Sequence, residues 1–149
     1  NLYWGAAVSK GLLTSGDKLG MMTGLSVHAS ARFSRYFEPH MRIEGYSGFP
    51  KENVERMLSG SILAGPGYTL AKNKFAFSPY VAAGIFLAEI KAVAGNFSVL
   101  LPAAGGGFLL SYYMSPSWGF ALQGHGQYVF DPSSPALFLG ASLSTVVRF

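Results

Sequence analysis

The sequence predicts an all-β fold, a single eight-stranded antiparallel up-and-down transmembrane β-barrel with short loops over residues 1–149. Three observations predict it. First, half of the residues are hydrophobic and mean hydropathy is +0.30. Yet the apolar stretches FSVLLPAAGGGFLL and SPYVAAGIFLAEI are broken by Gly and Pro, so no run reaches the ~18 apolar residues of a spanning helix. Second, the chain divides into long segments with a period of two, and a barrel spreads its lipid-facing residues over alternate strand positions. Third, the polar face of those segments is built largely from Gly, Ser, Ala, His and Gln. A soluble sandwich prefers long charged residues on its wet face, whereas the narrow interior of a small barrel holds small ones.

Alternation and turn clusters place the segments at 2–12, 20–33, 36–48, 56–70, 75–88, 99–113, 118–130 and 136–149. Tight connections at SRY, AKNK and SPS alternate with looser ones at LTSGDKL, FPKENVE, EIKAVAGNF and DPSSP, and the looser ones carry charge or Pro. In the second segment Met21, Thr23, Leu25, Val27, Ala29, Ala31 and Phe33 oppose Met22, Gly24, Ser26, His28, Ser30 and Arg32. In the third, Phe37, Pro39, Met41 and Ile43 oppose Glu38, His40, Arg42, Glu44 and Tyr46. In the seventh, Trp118, Phe120, Leu122 and Tyr128 oppose Gly119, Ala121, Gln123, His125 and Gln127. The last segment sets Leu143, Thr145, Val147 and Phe149 against Ser142, Ser144, Val146 and Arg148.

In this register the outward aromatics sort by strand end. Trp4, Phe33, Phe37, Tyr68, Phe75, Phe77, Tyr112, Trp118, Phe120 and Phe149 gather where the tight turns are, and Phe49, Tyr128 and Phe130 gather at the other end. Aromatic rings favour the membrane interface, so these sets read as two girdles. Pro39, Pro66, Pro79 and Pro102 fall inside the segments and oppose the assignment, because proline removes a ladder bond. All four are expected outward and near a rim.

Cysteine is absent, which excludes a disulfide framework and thiolate metal sites. The formal charge is +4, but the basic residues are dispersed, which points away from nucleic acid and suits anionic lipid. The start, NLYWGAA, has no charged region followed by an apolar one, so an export signal is expected to be absent or already removed.

The chain ends in SLSTVVRF, with a terminal Phe149 preceded at alternate positions by Val147, Leu143, Ala141 and Leu139, Thr145 being the departure. This ending resembles the C-terminal signature of bacterial outer-membrane proteins that their insertion machinery recognises. In strand number and turn order the chain is similar to the small OmpA/OmpX/OmpW-type barrels. The resemblance implies a bacterial outer-membrane location, contact with outer-membrane lipid including lipopolysaccharide, and an assembly signal at Phe149. It also implies termini and tight turns on the periplasmic side and the looser connections outside, and it leaves room for other envelope proteins as partners.

The inward residues define the candidate site. Pairing about SRY sets Arg32 near Glu38, Ser30 near His40, His28 near Arg42 and Ser26 near Glu44. Two acids then meet two arginines, as buried charge requires. With Tyr46, Gln123 and His125 these residues are expected to form a hydrogen-bonded lumen network, with Gly105, Gly107 and Gly119 supplying space for the long side chains. A hydrolase triad from Ser26 or Ser30, His28 or His40 and Glu38 or Glu44 is the catalytic alternative. The residues match neither the lipid A deacylase's outward His-x-Ser pair nor the palmitoyltransferase's long-loop set, so the expectation is a non-enzymatic barrel. It would act as a structural component, subunit or anchor in the envelope; the alternatives are a narrow pore for small or apolar solutes and a lipid A-modifying enzyme. His-x-His spacing is lacking and AAGGG precedes no Lys and helix, so no metal site, phosphate loop or cofactor is implied.

Overall fold

A computed structural model describes residues 1–13, 18–34, 37–48 and 54–149. The strands are β1 (Leu2–Leu13), β2 (Lys18–Ser30), β3 (Glu38–Gly48), β4 (Val54–Gly67), β5 (Leu70–Lys72), β6 (Phe75–Ala92), β7 (Gly95–Tyr113), β8 (Trp118–Val129) and β9 (Ala136–Val147). Each neighbour pairs antiparallel, β1 closes on β9, and β4 closes on β6. The three-residue β5 continues the line of β4 after a break at Tyr68 and Thr69, so the wall has eight staves. Following cross-strand partners from Tyr3 through His28, Arg42, Leu63, Gly84, Ala103, Val129 and Ala136 returns to Leu13, ten residues farther along β1. That stagger closes an eight-stranded sheet with its strands tilted by about 40° and leaves an interior just wide enough for side chains.

The period-two pattern governs which way each residue points. On β3, Glu38, His40, Arg42, Glu44 and Tyr46 are buried while Met41, Ile43, Gly45 and Ser47 are exposed, and β8 buries Gly119, Ala121, Gln123, His125 and Gln127. The exterior carries Leu25 at 70% exposure, Val81 at 61% and Leu143 at 65%, whereas charged Arg42 inside is 1% exposed. In water this arrangement would be upside down; in lipid it satisfies both faces, because every central strand's backbone is paired around the closed sheet.

The girdle residues Trp4, Phe37, Phe77, Tyr112 and Trp118 are exposed on the outer wall. Phe33 and Phe149 are exposed just past strand ends, and Tyr68 and Tyr128 are half-buried. Phe75 meets Tyr112 at 5.0 Å and Trp118 meets Phe120 at 4.9 Å near the end that bears the termini; Tyr128 meets Phe130 at 4.9 Å at the distal end. Phe49, and the connections SRY, LTSGDKL and FPKENVE in part, lie outside the described residues.

The segment boundaries differ from expectation at several points. EIKAVAGNF is not a loose connection: β6 runs on to Ala92 and β7 begins at Gly95, with only Val93 and Ala94 between them. The turn depends on Gly95, whose φ of 136° is a conformation that L side chains rarely adopt; AVAG carries no two-residue turn signature ahead of that glycine, which hid the hairpin. Asn73, at φ 56°, makes the corresponding reversal in AKNK, where a short polar side chain tolerates the left-handed region. β2 stops at Ser30 and β3 starts at Glu38, shorter than 20–33 and 36–48, and the last strand stops at Val147.

Pro102 consequently lies well inside β7, not among its first four residues. Pairing of β7 with β8 begins only at Ala103↔Val129, and Phe130 N–H donates to the Pro102 carbonyl at 3.0 Å. Since a strand residue directs its N–H and C=O to the same side, the missing N–H of Pro102 falls at the last rung of the β8 ladder, where it forgoes one bond and interrupts nothing further along. In DPSSP, the Asp131 carboxylate accepts from the N–H and hydroxyl of Ser133 (2.8 and 2.6 Å) and from Ser134 N–H (3.3 Å). These bonds, led by the Ser133 hydroxyl, hold the Asp131 carboxyl below the usual carboxylate range.

Candidate functional site

Adjacent strands bring the inward polar residues together in layers. The β2–β3 ladder sets Ser26 opposite Glu44, His28 opposite Arg42 and Ser30 opposite His40, the pairing anticipated from the SRY turn. Nearest the termini, Ser30 Oγ donates to Glu38 Oε1 at 2.6 Å and Arg32 Nε lies 3.6 Å from Glu38 Oε2. Arg32 is not a lumen residue as expected. It sits past the end of β2 with its side chain 52% exposed, at the mouth, because the strand ends two residues before it.

The next layer pairs His28 Nε2 with His40 Nδ1 at 2.7 Å. Tyr80 stacks on His40, ring centroids 5.3 Å apart and planes 11° apart, and Tyr3 meets His28 edge-on at 5.5 Å. The Tyr80 hydroxyl then accepts from Arg42 Nη1 (2.8 Å) and from Gln123 Nε2 (2.6 Å), while Arg42 Nη2 donates to Gln127 Oε1 (3.2 Å) and Ser142 Oγ donates to Gln123 Oε1 (3.3 Å). One tyrosine oxygen therefore joins strands on opposite walls.

Farther toward the distal end, Glu44 gathers four partners. Arg42 Nε is 3.4 Å from Oε2, Ser61 Oγ donates at 3.4 Å, Tyr46 donates its hydroxyl at 3.1 Å, and His125 Nε2 lies 3.3 Å from Oε1. A buried carboxylate loses its hydration shell, and this ring of donors replaces it. Phe86 and Phe138 stack at 5.1 Å beside this layer. Beyond Phe86 the inward positions of β6 are Ala88 and Ile90, and those of the facing part of β7 are Leu101 and Val99. The lumen thus changes from polar to apolar along its length, closed by charge pairing at one level and by aromatic packing at the next.

Space for these side chains comes from glycines other than those expected. A Cβ at Gly67 would overlap the His40 imidazole, and one at Gly140 would overlap that of His125. Gly105, Gly107 and Gly119 instead face carbonyl oxygens of Gly126, Gly124 and Tyr112, so their role is close approach of the strands rather than room for the lumen network. Sequence reading also passed over Tyr80, Phe86 and Phe138. For Tyr80 the signal was present, because Pro79 is outward and alternation turns the following residue in.

The catalytic alternative finds no supporting geometry. Ser30 donates to a glutamate, the two neighbouring histidines bond each other, and among the described residues no serine hydroxyl bonds a histidine ring. Nor do the described residues contain three His, Cys, Asp or Glu side chains grouped to hold a metal.

No protein-family model matches the sequence, and no curated protein matches it. Solved structures do share the architecture. Neisserial surface protein A aligns over 99% of this chain and 96% of its own, with a TM-score of 0.76 and 14% identity. Ail, the attachment invasion locus protein of Yersinia pestis, aligns over the same shares with a TM-score of 0.70 and 14% identity. Ail in complex with the heparin analogue sucrose octasulfate gives 0.68 and 17%. With its stagger of ten residues, its apolar exterior and its polar interior, the chain has the fold of the small eight-stranded transmembrane β-barrels of the bacterial outer membrane.

Proposed function

We propose that the chain is a non-enzymatic integral barrel of the outer membrane, a structural component or a membrane-embedded subunit or anchor of an envelope assembly. The observation that supports it best is the filling of the lumen: Arg42, Glu44, Tyr80, Gln123 and His125 bond one another across the barrel, and Phe86 and Phe138 stack above them. Side chains that bond one another across a narrow barrel fill its section, and the space they occupy is not available to a water column.

The short distal connections point the same way. A two-residue turn joins β6 to β7 and a DPSSP turn joins β8 to β9, so at these two connections the chain reverses without a long loop, and what projects is the paired β6–β7 hairpin itself. Besides that hairpin, the surfaces left for interaction are the lipid-facing wall, in contact with outer-membrane lipid including lipopolysaccharide, and the end that bears the termini, which on this reading faces the periplasm. Phe149, exposed beyond β9, serves the insertion machinery during assembly.

Two measurements test the reading together. Purified protein in planar bilayers is expected to give no stable conductance, and lipid A from cells with and without the protein is expected to have the same mass spectrum. Steady channels would establish a pore in its place, and an altered acylation pattern would establish an enzyme.

A further inference from the structure

β7 is longer than the strand beside it. It pairs with β6 without interruption from Tyr112 to Gly95, whereas its pairing with β8 stops at Ala103↔Val129 and the bond from Phe130 N–H to the Pro102 carbonyl. Backbone groups alternate sides along a strand, so those of Leu100, Ser98 and Asn96 point the same way as the Pro102 carbonyl, toward the line that β8 would follow if it ran on. Among the described residues no backbone group pairs with them there. β8 does not run on because the chain turns away at Asp131, whose N–H donates back to the Val129 carbonyl and whose carboxylate holds Ser133 and Ser134.

The two faces of this stretch differ. On the outer face the opposed pairs run Leu87↔Leu100, Glu89↔Ser98 and Lys91↔Asn96, the change from apolar to polar that a strand makes on leaving lipid. The other face stays apolar, with Ile90 opposite Phe97 and with Val99 and Leu101 following, and Phe97 is 53% exposed. A hairpin that merely ended in water would gain nothing from such a face, but a strand laid along β7 would cover it. The open row of donors and acceptors selects an extended chain, and the apolar face selects apolar residues at alternate positions of that chain. A second copy in the same membrane does not meet both demands. It stands the same way up, so its β7 reaches this edge by a two-fold rotation about the membrane normal, which sets its polar face beside this apolar one.

We propose that the free edge of β7 docks an extended segment of another envelope protein. The segment runs antiparallel to β7 in line with β8, bonds the backbone of Asn96, Ser98 and Leu100, and lays apolar side chains at every second position against Phe97 and Val99. The proposal rests on the reading of the chain as a subunit of an envelope assembly, and it places that contact at the end away from the termini.

The test uses the folded protein in lipid nanodiscs and, as probe, a fluorescent synthetic peptide that alternates Val and Thr between terminal lysines; a peptide of the same composition with its valines in one block is the control. Before peptide is added, the Ser98 and Leu100 amides are expected to exchange with solvent quickly and those of Phe97 and Val99, which face β6, slowly. The alternating peptide should bind saturably, about tenfold more tightly than the control, and should slow exchange at Ser98 and Leu100. Ser98→Pro removes one N–H from the open edge and none from the β6 ladder, and Phe97→Ser removes the apolar surface; each should weaken binding about tenfold. The shift in gel mobility on heating shows which variants are folded, so a failure of one leaves the other to decide. No saturable binding, or equal binding by the control peptide or by the folded variants, would overturn the proposal. So would slow exchange at Ser98 and Leu100 in the protein alone, which would show that the chain itself or a second copy already covers the edge. Recovery of the protein outside the outer-membrane fraction would overturn the functional reading and leave the binding results standing.

Discussion

His28 Nε2 lies 2.7 Å from His40 Nδ1, and the bond crosses the β2–β3 ladder on the diagonal, since His28 is opposite Arg42 and His40 is opposite Ser30. A nitrogen-to-nitrogen bond requires that one ring donate and the other accept, so the two imidazoles act as a unit. Tyr3, Tyr80 and Gly67 shape the space that holds them. Replacing His28 by Ala leaves a buried ring nitrogen unpaired and is expected to cost about 1–3 kcal/mol. His40→Ala should cost a similar amount, and the double variant less than the sum. Unfolding in detergent, followed by urea titration of all three, checks this; additive losses would show that the rings do not interact.

The Arg42–Glu44 pair makes a second, distinguishable demand. Glu44→Gln keeps the volume and most hydrogen bonds but leaves a guanidinium in a dry interior with no counter-charge, a loss expected to reach about 3–5 kcal/mol. Arg42→Met combined with Glu44→Gln removes both charges and should be better tolerated than Glu44→Gln alone. The midpoint of urea unfolding in the same detergent ranks the two.

Much of this was legible in the sequence because a period of two is a strong constraint: one inward residue on β3 fixes Glu38, His40, Arg42, Glu44 and Tyr46 together. The β2–β3 pairing was legible for the same reason, since the turn sets the register. What could not be read is which walls meet across the lumen. Tyr80 lies 38 residues from Arg42 and Gln127 lies 85 from it, and only the ten-residue stagger of the closed sheet brings the three into contact. The β6–β7 hairpin was missed because its turn depends on the backbone freedom of Gly95, which lies after the reversal rather than within it. Arg32 was placed inside by extending a correct alternation past the last paired residue.

The register also predicts how the exterior responds to charge. Leu25, Val81 and Leu122 are outward and exposed. Arginine at any of them should cost about 2–4 kcal/mol near the bilayer midplane. Arginine at Phe97, exposed on the part of β7 that extends past its pairing with β8, should cost little. Folding yield into lipid vesicles, measured by gel mobility, separates the two sets, and equal tolerance would show that the outward assignment is wrong.

Phe149 is 93% exposed, the largest exposure among the described large apolar residues, and it lies beyond the end of β9 at Val147. It contributes little to packing, so its deletion should leave spontaneous folding in detergent nearly unchanged. On the proposed role of Phe149 as an assembly signal, the same deletion is expected to lower the amount of folded barrel in the outer membrane of cells several-fold. Quantifying heat-modifiable protein in both settings checks the difference; equal losses would assign Phe149 to the aromatic girdle alone.

The lumen itself gives the last prediction. If charge pairing alone closed the barrel, replacing Arg42 and Glu44 together by Ala would open a leak. The double variant does remove the side chains that tie β3 to Tyr80, Gln127 and His125. It leaves untouched the Phe86–Phe138 stack and the apolar residues Ile90, Val99 and Leu101 beyond it. Water that entered from the end bearing the termini would then reach a dry layer and stop, since an apolar constriction stays unwetted. Arg42→Ala with Glu44→Ala is therefore expected to lower stability without producing conductance, and so is Phe86→Ala with Phe138→Ala, which leaves the charged layer intact. Only the four substitutions combined should give small, steady currents in planar bilayers. Conductance in the first double variant would mean that the aromatic stack does not seal, and silence in the quadruple variant would mean that the barrel collapses or is closed elsewhere.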